Sequence, residues 1–135
     1  MTRRFRANYA LLPILEQLGP SADGLDLSWA TFAGDRTSPY AFDVPTPDST
    51  DHYVEIQLYD VGSYDHEITI NGTTLSGFDL PPGEGWQYWL DNAVNVDLQS
   101  GENTLRICRD RTSDDAFAVG NVVVNWKEPL GSADD

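Results

Sequence analysis

Residues 52–61 read HYVEIQLYDV, and this stretch decides the fold. Val54, Ile56 and Leu58 fall on one side of an extended chain, while Tyr53, Glu55, Gln57 and Tyr59 fall on the other. A period of two is the period of a β-strand, and the split means one buried face and one wetter face. The segment is a strand in a sheet that covers a core.

The same pattern continues downstream. Residues 67–75, EITINGTTL, hold a short strand, then Asn71-Gly72, then the start of a return strand. Asn-Gly suits the two positive-φ positions of a type I′ hairpin turn. Pro81-Pro82-Gly83-Glu84-Gly85 is a loop of restricted backbone freedom, and a short aromatic strand follows from Trp86 to Leu90. Val94, Val96 and Leu98 alternate with polar residues, Ser100 to Asn103 turn the chain into Thr104–Arg109, and Ala116–Trp126 is the last strand. Gly120 inside it marks a bulge or a close approach. Upstream, Leu25, Leu27 and Trp29 alternate with Asp26 and Ser28, and Tyr40 to Val44 is a strand closed by Pro45 and Pro47.

Residues 1–24 form a separate N-terminal segment. Leu11, Leu12, Ile14, Leu15 and Leu18 are spaced for a short amphipathic helix beginning at Pro13, the rival being an edge strand broken there. Residues 25–128 are then the β domain, and 129–135 a flexible acidic tail. Short strands at intervals of roughly ten residues, separated by turns, make an all-β sandwich or barrel. With 135 residues there is room for one such domain.

Charge is the strongest global feature. Asp and Glu number 22 against 8 Lys and Arg, a formal charge of −14. Lys127 is the only lysine, and aspartate far outnumbers glutamate. Short carboxylates hold water and hydrated cations near the surface, whereas lysine stems expose hydrocarbon. In molar salt the Debye length falls to about 3 Å, and the self-repulsion of such a surface fades. The composition resembles that of proteins from extremely halophilic archaea, and a halophilic protein is expected. It lacks the basic footprint that nucleic acid requires.

Cys108 is the only cysteine, so no intrachain disulfide forms, and it reads as an inert strand thiol. No stretch reaches the ~20 apolar residues of a membrane-spanning helix. Arg3 and Arg4 suggest a twin-arginine signal, but Asn8, Pro13, Glu16 and Gln17 interrupt the apolar region that should follow. The expected location is therefore cytoplasmic, or within a virion or other assembly.

Two longer stretches carry a resemblance. ITINGTTLSGFDLPPG (68–83) and VDLQSGENTLRICRD (96–110) resemble the galactose-binding-like jelly roll, where one strand ends in Asn-Gly and a later one is led by Gly-Glu-Asn-Thr-Leu. FAVGNVVVNW (117–126) is similar to the closing strand of carbohydrate-binding modules of that fold. As a whole the chain also resembles an uncharacterised family of small haloarchaeal proteins. The resemblance implies a jelly-roll β-sandwich, a fold shared by lectin-like modules, hydrolase accessory domains and capsid proteins. It does not choose a ligand, because one fold serves many functions.

Several side-chain sets compete for a role. Trp86, Tyr88 and Trp89 could stack on sugar rings, with Gln87, Asp91 and Asn92 supplying polar contacts; the plainer reading is core or edge packing. On a strand, Trp86 and Tyr88 lie opposite Gln87 and Trp89. Tyr53 and Tyr59, with Glu55 and Gln57, would form an amphipathic outer face. His52 and His66, beside Asp51 and Asp65, match no metal-ligand spacing and read as surface histidines. Asp110, Asp114 and Asp115 could hold a structural calcium in a loop. Arg106, Arg109 and Arg111 are expected to neutralise neighbouring aspartates. Arg3, Arg4 and Arg6 could form an arm against an acidic partner. No Gly-rich phosphate loop or Gly-x-Ser-x-Gly elbow is present, and no catalytic residue stands out. The expected function is a non-catalytic module in protein–protein assembly, the alternatives being glycan recognition through Trp/Tyr stacking and, more remotely, a hydrolase.

Overall fold

The structure is a computed structural model that describes residues 4–75, 80–93 and 96–130. Its strands are β1 (Phe5–Leu18), β2 (Thr31–Gly34), β3 (Tyr40–Val44), β4 (Thr50–Tyr59), β5 (Glu67–Ile70), β6 (Thr73–Thr74), β7 (Trp86–Asn92), β8 (Gly101–Cys108) and β9 (Phe117–Pro129). They form a five-stranded sheet, ordered β2-β1-β9-β4-β7, and a four-stranded sheet, ordered β3-β8-β5-β6. All contacts within the sheets are antiparallel except β1 with β2. The result is an all-β sandwich, as the strand periodicity leads one to expect, of the jelly-roll kind that the resemblance implies.

Alternation builds the core. Val54, Ile56 and Leu58 of β4, Val122, Val124 and Trp126 of β9, and Ile68, Ile70, Leu105 and Ile107 of the second sheet are buried. Each buried aliphatic side chain contributes about 1.5–3 kcal/mol relative to exposure. Tyr40 of β3 bridges the sheets, its hydroxyl donating to the Ile14 carbonyl at 3.1 Å. Burial, then the neighbouring Glu16 carboxylate, pushes its phenol pKa above the ordinary value.

The hairpin prediction is met: Asn71 and Gly72 have φ of 53° and 82°, between β5 and β6. Asn71 does more than turn the chain. Its Nδ2 donates to Asn103 Oδ1 at 2.9 Å, and its Oδ1 accepts from the Thr104 N–H at 2.9 Å. Asn103 is fully buried and also ties down Gln99 and Gly101. The Asn-Gly and Gly-Glu-Asn turns are thus one hydrogen-bonded unit.

Two expectations are corrected. The N-terminal segment is no helix; from Phe5 it is β1, paired along β9 and part of the sandwich. Leu12, Ile14 and Leu18 point inward while Leu11 and Leu15 are exposed, and that mixture imitates a helical period. Pro13 is tolerated because β2 joins β1 only from Glu16, leaving that side of the strand open. The ladder shifts register between Pro13 and Glu16, with Leu15 at φ 50°. The second correction concerns residues 25–29, which form no strand. Leu25, Leu27 and Trp29 alternate in burial as expected, but no neighbouring strand completes their ladder. Val96 and Leu98 are buried outside any strand, and Val94 lies outside the described residues, as does the tail from Gly131.

Candidate functional site

The outer face of the five-stranded sheet carries the candidate site. β4 and β7 pair antiparallel with Tyr59 opposite Trp86, Gln57 opposite Tyr88, Glu55 opposite Leu90 and Tyr53 opposite Asn92. Paired residues share a face. The two sets that the sequence presented separately, Tyr53/Glu55/Gln57/Tyr59 and Trp86/Tyr88, are therefore one surface.

Trp86 is its most developed element. The indole stacks on Trp29, centroids 4.9 Å apart and planes inclined by 28°. Tyr59 meets Trp86 edge-on at 5.4 Å and Trp29 at 6.1 Å. Such pairs add about 0.5–1.5 kcal/mol each beyond area burial. Beneath Trp86 lies Gly120 of β9, where a Cβ would come within 2.9 Å of the indole Cζ3 and 3.0 Å of Gln57 Oε1. The glycine allows both side chains to lie close to the sheet. Gln57 is fixed in turn, because its Oε1 accepts the Asn121 N–H at 3.1 Å. Even so, 55% of Trp86 and 58% of Tyr88 remain exposed. The ring is held in place without being covered.

Gln57, Trp86, Gln87 and Tyr88 line a cleft of about 390 Å³. A larger groove of about 750 Å³, bordered by Leu25, Asp60, Gly83 and Glu84 among others, adjoins the loop leading into Trp86. Asp60, at φ 57°, accepts the Gly85 N–H at 2.6 Å and so fixes that loop. Desolvation, followed by the hydrogen bond and charge of Glu55, raises the Tyr88 phenol above its usual pKa. Glu55, Asp60 and Glu84 give this end of the sheet an acidic rim.

The expected site residues divide. Trp86, Tyr88 and Asn92 share the outer face; Gln87, Trp89 and Asp91 alternate to the other side of β7, opposite Leu58, Ile56 and Val54. Trp89 is still partly exposed because β7 is an edge strand. Gln87 supports the loop, donating to the Pro82 carbonyl at 3.2 Å. Sequence reading missed Trp29, whose role comes from a turn folded over the sheet.

Elsewhere the polar residues serve the fold. His66, expected at the surface, is buried. Its Nδ1 accepts the Asp110 N–H at 2.9 Å, which leaves Nε2 to donate to Asp115 Oδ2 at 2.7 Å. Asp115 also accepts the Gly62 and Ser63 amides, joining two loops. Asp110 Oδ1 accepts from the Thr112 N–H and hydroxyl, which lower its pKa. Of the three carboxylates expected to hold calcium, Asp110, Asp114 and Asp115, these bonds engage Asp110 Oδ1 and both oxygens of Asp115. Among the described residues no group of three or more His, Cys, Asp or Glu side chains is placed to hold a metal ion. His52 bonds Ser49 instead, at 2.9 Å.

Arg109 and Arg111 both meet Asp35, at 2.8 and 3.4 Å, and Arg106 donates to the Thr37 carbonyl at 3.1 Å. The proposed arm is also revised. Arg6 is part of β1 and pairs with the buried Glu128 at 3.2 Å, Arg4 is exposed, and Arg3 lies outside the described residues. Burial, then Glu67, raises the Cys108 thiol, in keeping with an unreactive strand cysteine. No helix among the described residues is long and apolar enough to cross a membrane.

A family model described as a family of unknown function, DUF7383, matches residues 6–128. No curated protein matches. Among solved structures, the chain is similar to the CBM36-1 domain of a multidomain xylanase from the hindgut metagenome of Trinervitermes trinervoides. The TM-score is 0.55 at 14% identity, covering 92% of this chain and 99% of that domain. At that identity the likeness speaks for the sandwich fold.

Proposed function

The chain belongs to the family of unknown function DUF7383, and we propose that it is a non-catalytic carbohydrate-binding module. Trp86 and Tyr88 form its stacking platform. One observation carries this reading: Trp86 is braced by Trp29, Tyr59 and Gly120 yet stays more than half exposed. A pre-organised ring with a free surface loses little entropy on binding. Sugar rings offer apolar C–H faces to such a surface and hydroxyls to the polar groups beside it. Gln57 is such a group beside the platform, while Asn92 lies at the far end of the same strand face.

The same residues specify the kind of glycan. Glu55, Asp60 and Glu84 border the platform, whereas Lys127 lies toward the opposite end of β4, paired with Thr50. A uronate or sulfated chain would meet like charge at close range. A neutral glycan would not. Similarity in fold to a xylanase's carbohydrate-binding domain supports this reading over the assembly module expected from sequence, and makes neutral xylan the first ligand to try.

The test is affinity electrophoresis in molar potassium chloride. Neutral xylan, glucan and mannan are compared with polygalacturonate, using wild type, Trp86→Ala and Tyr9→Ala. Tyr9 is exposed on β1, away from the platform, and is the control. Retardation by a neutral polysaccharide, lost in Trp86→Ala and kept in Tyr9→Ala, supports the assignment. Retardation by polygalacturonate alone, or by none of the panel, refutes it.

A further inference from the structure

We propose that two copies of this chain pair edge to edge through β7, joining their five-stranded sheets about a two-fold axis at Trp89. The inference does not depend on the glycan reading. Among the described residues, β7 terminates its sheet and pairs with β4 alone. The Asp60 N–H donates to the Gly85 carbonyl, and the Ala93 N–H to the His52 carbonyl, both at 3.0 Å. In an antiparallel ladder, bonded residues alternate with unbonded ones. Residues 87, 89 and 91 therefore bond to β4, while the backbone groups of Trp86, Tyr88, Leu90 and Asn92 face outward. Asp91 Oδ1 already accepts the Asn92 N–H at 2.8 Å. Among the described residues, no strand pairs with the outward edge of Trp86, Tyr88 and Leu90.

Asp91 protects only the Asn92 end of this edge. WQYWLDN contains no proline and no lysine, and an exposed apolar edge of this kind is a template for another strand. A second copy fits it because the sequence is self-complementary about its centre. Two-fold antiparallel pairing sets Trp89 opposite Trp89, Tyr88 opposite Leu90, Gln87 opposite Asp91 and Trp86 opposite Asn92. The strand's single carboxylate meets an amide rather than its own copy. Tyr88 and Leu90, the outward-bonding pair, exchange N–H and carbonyl in that register. Trp89, left partly exposed on the inner side of the edge, is covered by its symmetry mate. Side chains stand perpendicular to the sheet, so both Trp86 platforms stay open on the outer face.

A seven-residue edge is a short contact beside the roughly 1,200–2,000 Å² buried in stable complexes. The pairing is therefore weak and concentration-dependent. At a formal charge of −14 two copies repel each other, and screening in molar salt lifts that barrier. Salt should promote the dimer.

Disulfide trapping in the intact chain tests the register. In a Cys108→Ser background, Trp89→Cys places two thiols directly opposite in a non-hydrogen-bonded pair, within reach of a disulfide. Leu90→Cys places its thiols on a diagonal about 7–8 Å apart, beyond that reach. Oxidation in molar potassium chloride should cross-link Trp89→Cys and leave Leu90→Cys monomeric. Light scattering on the unmodified chain should show a dimer that grows with concentration and salt and is lost in Leu90→Pro. Equal cross-linking of both cysteine variants would overturn the proposal. So would a monomer at every concentration and salt tested.

Discussion

The indole of Trp86 stacks on Trp29 with centroids 4.9 Å apart, and the sheet beneath it carries Gly120 in place of a side chain. A half-exposed ring is thus fixed from two directions by residues distant in sequence.

Gly120→Ala tests that support. The added methyl would sit 2.9 Å from Trp86 Cζ3 and 3.1 Å from Gln57 Cβ, so the indole must lift. Strain of this kind costs about 1–3 kcal/mol. Removal of Trp29 by Trp29→Ala should loosen the same ring without a clash. Both variants should shift and broaden the Trp86 indole resonance and weaken glycan binding at least several-fold. Chemical denaturation should show a stability loss in both variants.

Asn103→Ala should be among the most damaging polar substitutions. The buried amide serves Asn71, Gln99 and Gly101, and its loss strands donors and acceptors in two turns. Each buried group left unpaired costs about 1–3 kcal/mol. A lower denaturant midpoint with an unchanged slope is the expected result.

His66 should be neutral with its proton on Nε2, because Nδ1 accepts the Asp110 amide. Long-range nitrogen–proton correlation spectra report that tautomer directly. His66→Ala leaves Asp115 and the Asp110 amide without their partner and opens space beside Phe117, whose ring lies 4.3 Å from the imidazole. The expected loss is about 2–4 kcal/mol by chemical denaturation.

The pH dependence has two arms. The Thr112 backbone and hydroxyl lower the pKa of Asp110 in the folded state. That contribution is present above the unfolded value, near 3.9, and is lost as pH falls through the folded one. Tyr40 is raised, by burial first and then by Glu16, so its contribution holds below its unfolded value, near 10. It is lost as pH rises through the folded value. Asp110→Asn should flatten the acid arm and Tyr40→Phe the alkaline arm, measured as denaturant midpoint against pH at constant salt.

Much of the fold was readable because strands write a period of two. Val54, Ile56 and Leu58 identified β4, and Asn71-Gly72 identified the hairpin from the φ values it demands. β1 was misread because Leu11 and Leu15, apolar residues on the outward face, stand beside inward Leu12 and Ile14. Residues 25–29 alternated without a partner, a condition local sequence does not reveal. Trp86 and Tyr88 stood out as aromatics, but register alone joined them to Gln57 and Glu55. Trp29 and Gly120 could not be assigned from their neighbours, since their roles depend on contacts across the sheet.

The central claim is where a glycan sits, and ligand-induced amide and indole shifts read this most directly. Neutral xylo-oligosaccharide titrated into the labelled chain in molar potassium chloride should move Trp86, Tyr88 and Gln57 together and leave Tyr9 still. Shifts confined to other surfaces, or none at saturating sugar, would contradict the account.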